Sequence, residues 1–424
     1  MKRIPNLRWW IAGLLAAATA LNYLDRQSLP VVVGAMQKSI PISDQQFSHL
    51  QFMFLLAYGV MNAGGGKILD RLGTRIGYAV MIVWWSIASM MQGSVHSIAG
   101  LAIARFMLGL GEGGGFPGSA KAVSEWFPAK ERSFAFGIFN TGSSVGALIA
   151  PPLIAAIVLF ANWRWVFFIT GGLGLVWAVA WLVFYEVPSR HKLVTPEERV
   201  YVEAGQVATD DPPGSKVSWL ALFRYRQVWG IISAKFLSDA GWYFFIFWLP
   251  KYLGDVRHLD IKQIGYYAWI PYAWAGVGSF AGGWLSSYLI RRRLSVDTSR
   301  KIALGLSAAC MPVSLLIEAS PLTMAIAFFS MALFGHQFWS TTAQTLSADM
   351  FPSKIVGSVA GLSNAAGAFG SMLFNLFVGV LLGWYHSYAV IFAIAGLLHP
   401  ISFLLILLLV RRIEPVSPMM PQTT

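Results

Sequence analysis

Charge is what this sequence has least of. Only 12% of its 424 residues are charged, and the acidic ones number just 19. A soluble domain carries about a quarter charged residues, so most of this chain cannot present a water-facing surface. Cysteine is scarcer still. The single Cys310 lies in an apolar segment, so no internal disulfide can form and no redox compartment follows. The period-2 alternation that an outer-membrane barrel needs is missing. So are a metal-ligand cluster, a Gly-x-Ser-x-Gly elbow and a phosphate loop. The glycines of "GLGEGGGFPG" lack both the preceding strand and the closing Gly-Lys-Ser/Thr. No catalytic residue, no metal and no cofactor is expected, and the chain does not read as an enzyme.

What is present is long apolar runs. Hydrophobic residues make up 56% of the chain, and the mean hydropathy is +0.59. The runs include Ile11–Leu21, Tyr78–Met91, Val166–Val183 and Ile391–Val410. Crossing a bilayer takes roughly 20 mostly apolar helical residues. Helical spans are predicted near 9–35, 46–66, 76–95, 98–118, 133–159, 164–186, 227–251, 264–289, 301–318, 322–347, 355–382 and 387–410. The fold class is an all-α polytopic membrane protein with twelve transmembrane helices. Lys2, Arg3 and Arg8 before an apolar run ending "AAATAL" could pass for a signal peptide. The pattern instead continues through "NYLDRQSLPVVVGAM" as one span, so a retained first helix is expected.

With both termini placed in the cytoplasm, 23 of the 31 lysines and arginines fall inside, 5 fall outside and 3 lie within spans. Positive residues favour the inside, so the net charge of +12 reflects topology rather than a nucleic-acid partner. The longest loop holds "LVTPEERVYVEAG", a short polar helix, and the breaker-rich "DDPPGSK". It predicts an N-terminal six-helix bundle over 1–188, a cytoplasmic loop over 189–226, and a C-terminal bundle with a short cytoplasmic tail over 227–424. An internal repeat supports this division. "FPAKERSFAFGIFNTGSSVGAL" at Phe127 and "FPSKIVGSVAGLSNAAGAFGSM" at Phe351 match at one offset of 224, pairing Gly137 with Gly361, Asn140 with Asn364 and Gly146 with Gly370. Duplicated bundles imply a substrate site at the membrane midplane, where the repeats meet.

Particular motifs carry a resemblance. "GKILDRLGTR" (Gly66–Arg75) resembles the loop between helices two and three of the major facilitator superfamily. In that setting Asp70, Arg71 and Arg75 form gating charge contacts at the cytoplasmic face that hold an outward-open state. "NYLDRQSL" (Asn22–Leu29), "ARFMLGLGEGGGFP" (Ala104–Pro117), "EWFPAKERSFAFGIFNTGSSVGALIAPPL" (Glu125–Leu153), Val194–Arg199 and "GHQFWSTTAQTLSADMFP" (Gly335–Pro352) look like the anion:cation symporter family, and most like its hexuronate transporters.

Six charged side chains lie inside the spans: Arg26, Arg105, Lys235, Asp25, Glu112 and Asp239. Such residues are costly there and face a cavity or one another. Arg105 and Glu112 are seven residues apart, about 10 Å along one helix face, and are expected to share a cavity wall rather than close as a pair. The glycines between them let neighbouring helices approach, and Pro117 is expected to kink the helix end. The resemblance implies that Arg26 contacts the substrate carboxylate, that Glu112 is a proton-coupling site and that Asp25 is a second protonatable group. The alternatives are a Glu112 paired for helix packing and an Asp25 that only orients Arg26 or Arg105.

Lys235 and Asp239, four apart, can neutralise each other. The resemblance to hexuronate transporters points instead to Lys235 as a second cation for the substrate, since the aldonate branch is neutral there. Trp242 can stack on a sugar ring or face lipid. His336, Gln337 and Ser340 form a polar row suited to sugar hydroxyls, and Tyr23, Tyr58, Asn140 and Asn364 complete a polyol cage or else cross-link helices. Ser143 stands where the aldonate branch offers a glutamine.

Together these imply a proton-coupled symporter importing a hexuronate such as galacturonate or glucuronate by alternating access across the cell inner membrane. Its partners would be that anionic sugar acid, protons and membrane lipids, with no nucleic acid, and it would act as a monomer. A symporter for another organic anion such as an aldonate, or a non-transporting membrane binding or sensor protein, is the alternative. A channel is disfavoured by the duplication and by the lack of pore-like rings.

Overall fold

A computed structural model describes residues 3–204, 222–351 and 353–416, the side chains of residues 63, 67, 70, 129, 130, 133 and 353–357 excepted. Helix dominates these residues. In chain order they form α1 (Leu7–Met36), α2 (Asp44–Leu72), α3 (Thr74–Ser94), α4 (Ile98–Gly113), α5 (Gly115–Trp126), α6 (Ala129–Phe160), α7 (Trp163–Phe184) and α8 (Pro196–Ala204). Then come α9 (Arg226–Asp255), α10 (Ile261–Tyr267), α11 (Trp269–Arg291), α12 (Val296–Ala309), α13 (Leu322–Met350), α14 (Ser353–Tyr385) and α15 (Ala389–Leu405). The one β-bridge among the described residues joins Ile4 to Val194.

The spans predicted from the sequence overlap helical backbone, but that over 301–318 is α-helical only to Ala309 and goes on as a 3-10 helix over Met311–Leu316, and that over 264–289 is interrupted at Ala268. Among the described residues six helical stretches, including Phe134–Phe160 and Ala389–Val410, are long and apolar enough to cross a membrane by length and composition. Phe160, Phe280 and Trp384 are 93%, 77% and 71% exposed, a surface suited to lipid and not to water.

The fourth span departs from expectation. The kink expected at Pro117 occurs instead at Gly114, whose N–H turns back to the carbonyls of Gly111 and Glu112 and ends α4. Helix then resumes and runs to Trp126, through residues expected in a loop. Pro117 falls in the first turn of α5, where its missing amide leaves no helical bond unmade.

Glycines set how closely the helices approach. At Gly142 and Gly146 of α6 a Cβ would overlap the carbonyl oxygens of Ala16 and Ala20 on α1. At Gly109 and Gly113 of α4 it would overlap those of Phe54 and Tyr58 on α2. Both pairs are spaced four apart, on one helix face, as small-residue packing in membranes requires. These contacts fix α1 against α6 and α2 against α4.

At the end of α1 nearest the chain start, α8 supplies the cap that Asn6 does not. The buried Glu198 carboxylate accepts from the Leu7 and Arg8 amides at 2.9 and 3.1 Å, a negative charge where the helix dipole favours one.

By contact the chain divides into two compact units. The first holds Met1–Gly214, Phe244–Ala273 and Met372–His386; the second holds Ser215–Tyr243, Trp274–Ser371 and Ser387–Thr424. This division cuts across the one predicted from the sequence repeat. Within the first unit Lys251 pairs with Asp44 at 2.6 Å. The ring of Trp248 packs edge-on against Phe47, and its Nε1 donates to Asn375 at 3.0 Å.

Candidate functional site

The helical repeat places Asn22, Tyr23 and Arg26 on neighbouring positions of α1, and Phe54 and Tyr58 one turn apart on α2. Arg26 donates from Nε and Nη2 to the same oxygen of Glu112, Oε2, at 3.0 and 2.9 Å. Nη2 also donates to Asn22 Oδ1 at 2.9 Å. The guanidinium lies over the rings of Tyr23, Tyr58 and Phe54 at 4.6, 4.9 and 5.3 Å. Both members of the ion pair are buried, at 1% and 0% side-chain exposure. The pair forms one wall of a cavity of about 90 Å³, shared with Asn22, Tyr23, Tyr58, Asn140 and Ser143 and closed on its apolar side by Trp85, Phe116 and Phe139. A charged pair, these five amide or hydroxyl side chains and aromatic faces make a chamber suited to a small polar anion.

Arg105 corrects an expectation. It does not share a cavity wall with Glu112. It is fully buried, its Nη2 donates to Gln51 Oε1 at 2.5 Å, and its guanidinium lies over Phe54 at 4.7 Å. Phe54 therefore underlies both arginines. Glu112 is claimed by Arg26 because close packing of α1, α2 and α4 brings that partner nearer than a residue two turns along its own helix.

Asp25 faces another way. Ser89 Oγ of α3 donates to Asp25 Oδ1 at 2.7 Å, and Thr170 Oγ1 of α7 lies 3.4 Å from Ser89 Oγ. Asp25 is fully buried and does not line the cavity of its neighbour Arg26, as the 100° step between adjacent helical residues requires.

In the second unit, Lys235 Nζ pairs with Asp239 Oδ2 at 2.7 Å, with side-chain exposures of 15% and 14%. Trp242 stacks on His336 at 4.7 Å and 12° between planes. One face of the indole is thus held by an imidazole and is closed to a sugar ring, which narrows the expectation for Trp242 to its other face. His336 Nδ1 lies 3.0 Å from His399 Nε2. Gln337, Ser340 and Asn364 are half-buried, and Ser340 Oγ accepts from Gln344 at 3.2 Å.

At the chain-start end of α3, Arg75 donates to Glu186 at 2.8 Å and to the Leu182 carbonyl, while Arg71 is exposed. The side chain of Asp70 lies outside the described residues. Nearby, beyond the last turn of α7, Tyr185 donates to Glu125 at 2.5 Å, and Thr74 donates to the other Glu125 oxygen at 2.6 Å. Burial, reinforced by the Glu125 charge, pushes the Tyr185 phenol well above its ordinary value.

Sequence reasoning passed over Asn22, Gln51, Phe54, Ser89 and Thr170. Asn22 stands four residues before Arg26 and was open to a helical-spacing argument. Gln51, Ser89 and Thr170 are ordinary polar residues within apolar runs, and only the packing of separate helices reveals their partners. Among the described residues no group of three His, Cys, Asp or Glu gathers as a metal site.

Comparison with known proteins follows the same lines. The profile described as Major Facilitator Superfamily matches residues 15–335. A hexuronate transporter of Escherichia coli is 38% identical over 386 residues, covering 90% of this chain and 89% of that protein. A galacturonate transporter of Dickeya chrysanthemi is 37% identical over 313 residues, covering 73% and 91%. A probable L-galactonate transporter of Escherichia coli is 30% identical, covering 97% and 91%. Among solved structures, a bacterial homologue of the human lysosomal transporter Spinster, inward-facing and occupied, superimposes with a TM-score of 0.74 at 18% identity, covering 98% of this chain and 100% of that one. The inward-open xylose transporter XylE of Escherichia coli also gives 0.74, at 14% identity, covering 98% of each chain. These two establish the fold.

Proposed function

Because the chain belongs to the Major Facilitator Superfamily, whose members are multi-pass membrane transporters and not enzymes, we propose that it is a proton-coupled symporter importing a hexuronate such as galacturonate or glucuronate. In this reading it sits in the cell inner membrane as a monomer with both termini in the cytoplasm. Relatives 38% and 37% identical to this chain are transporters of hexuronate and of galacturonate, which supports that substrate class.

One observation carries the mechanism: a buried Arg26–Glu112 pair lines the cavity. Arg26 holds Glu112 with two donors aimed at a single oxygen. A substrate carboxylate needs those same donors, because paired N–H groups are what an arginine offers a carboxylate. Protonating Glu112 removes its charge and releases the fork to the substrate. Loss of the substrate then lets Glu112 give up its proton and close again on Arg26. Tyr23 and Tyr58 hold the guanidinium plane and offer hydroxyls to the sugar. Arg105 supplies a standing positive field, Asp70, Arg71 and Arg75 serve the cytoplasmic gate, and in the second unit Lys235, Trp242, Gln337, Ser340 and Asn364 are the residues assigned to substrate contact. Asp25 takes the second proton.

The test is purified protein in proteoliposomes with labelled galacturonate. An inwardly directed proton gradient should drive accumulation above the external concentration, and unlabelled glucuronate should compete more strongly than galactonate. Stronger competition by galactonate favours the aldonate reading. Binding without accumulation would overturn transport and leave a sensor.

A further inference from the structure

We propose that a hydrated lane between α1, α3 and α7 brings protons to Asp25 from the Ser94 end of α3, through Gln92 and Ser89, separately from the Arg26 cavity. The proposal rests on the reading of Asp25 as a protonatable group. It starts from a difficulty: Asp25 is fully buried and lines no part of that cavity, so a proton must reach it through the protein.

Its nearest partner gives the direction. Ser89 Oγ donates to Asp25 at 2.7 Å, with Thr170 Oγ1 at 3.4 Å from the same hydroxyl. A hydroxyl both donates and accepts, so Ser89 can hand its proton to Asp25 and take another from behind. What lies behind is Gln92, three residues on and on the same face of α3, about one helical turn away. Gln92 is fully buried, and neither its Nε2 nor its Oε1 meets a protein partner. Burying an amide with both ends unmet costs several kcal/mol, and ordered water removes that cost where the space is polar.

Beyond Gln92 the helix has only two residues left, Gly93 and Ser94. Arg164 of α7 fastens that end, donating to the Gly93 and Val95 carbonyls at 2.8 Å each, and His96 beyond it is exposed. In the proposed orientation this end faces outside, where a symporter collects its protons. The charged groups that act on Asp25 itself are Arg105 and Glu112 of α4; α3 and α7 face it with the hydroxyls of Ser89 and Thr170. In each transfer a protonated water (hydronium) arriving from outside gives its extra proton to Ser89 as Ser89 gives its own to Asp25, so a neutral water and a neutral serine remain and the carboxylate is protonated.

The experiment compares Gln92→Leu, Ser89→Ala and Asp25→Asn in proteoliposomes, reading pH-driven galacturonate uptake over a range of external pH beside counterflow exchange. Gln92→Leu and Ser89→Ala should slow driven uptake by about 10-fold, equivalent to about 1.4 kcal/mol on the barrier, and should slow counterflow far less. Asp25→Asn should abolish the driven component. If Asp25→Asn loses driven uptake while the other two keep the wild-type rate and pH profile, the lane is wrong and the Asp25 reading stands. If Asp25→Asn still accumulates substrate, the Asp25 reading falls and the lane with it. Should Gln92→Leu lose counterflow as well, Ser89→Ala carries the same two outcomes alone.

Discussion

Arg26 is asked to do two incompatible things at one guanidinium, and the geometry around it makes that possible. Tyr23, Tyr58 and Phe54 hold its plane through ring contacts at 4.6 to 5.3 Å, so it need not move to exchange one carboxylate for another. Lysine cannot replace it. An ammonium is a point charge without the two-donor fork and without a face to lie on aromatic rings. Arg26→Ala and Arg26→Lys should therefore both reduce hexuronate uptake by about 100-fold or more, corresponding to roughly 2.7 kcal/mol. Both should still insert and fold, because a Glu112 left without its arginine can take up a proton instead of remaining a buried charge. Uptake assays on cells with matched membrane expression check this. Uptake by Arg26→Lys near the wild-type rate would mean that charge alone, and not the fork, recognises the substrate.

At the scale of the helix, what could be read from the chain and what could not divide along a physical line. The spans were legible because lipid demands long apolar runs, and they overlap helical backbone, though not the break at Ala268 or the 3-10 turn that follows Ala309. The charged ends were not. Asp70 and Arg71 continue α2 and Lys121 lies within α5, since a helix leaving the membrane needs no change of backbone, only of side chain. Nor was the break at Gly114 legible, because "GEGGGFPG" holds several residues able to end a helix. The site was legible in its residue types and not in its pairings: Arg26 finds Glu112 across 86 residues, beyond any spacing rule. The same limit hid Tyr185, which with Thr74 ties α3, α5 and the end of α7 to Glu125.

Tyr185→Phe leaves one oxygen of Glu125 without its donor and should lower stability by about 1.5–3 kcal/mol. Its folded phenol is raised above the ordinary value, so the unfolded chain releases that proton first. The contribution is complete below about pH 10, the unfolded tyrosine value, and declines as pH rises beyond it. The difference in unfolding temperature between wild type and Tyr185→Phe should therefore stay constant from about pH 6 to 9. A difference that changes across that range assigns the effect to another group.

Over the whole molecule the charges are sorted by where they lie. The +12 excess belongs to the loops and ends, while the six charged groups within the spans balance. The first unit sets Arg26 and Arg105 against Asp25 and Glu112, and the second sets Lys235 against Asp239. If all six are ionised the set is neutral, and a univalent sugar carboxylate beside Arg26 would leave it one negative charge in excess. An uncompensated buried charge costs several kcal/mol, so substrate and at least one proton should enter together. Glu112 is the carboxylate whose release also opens Arg26, and driven uptake requires its proton together with the second one at Asp25. Glu112→Gln fixes the protonated form in nearly the same shape. It should bind substrate and exchange it across the membrane in counterflow, since that exchange moves no net proton. It should fail to accumulate substrate when a pH step is applied, its internal concentration levelling at the external one. Preloaded and empty proteoliposomes of the same variant measure the two behaviours side by side. If Glu112→Gln still concentrates galacturonate against its gradient, the coupling proton is not carried at Glu112, and Asp25 takes over that role.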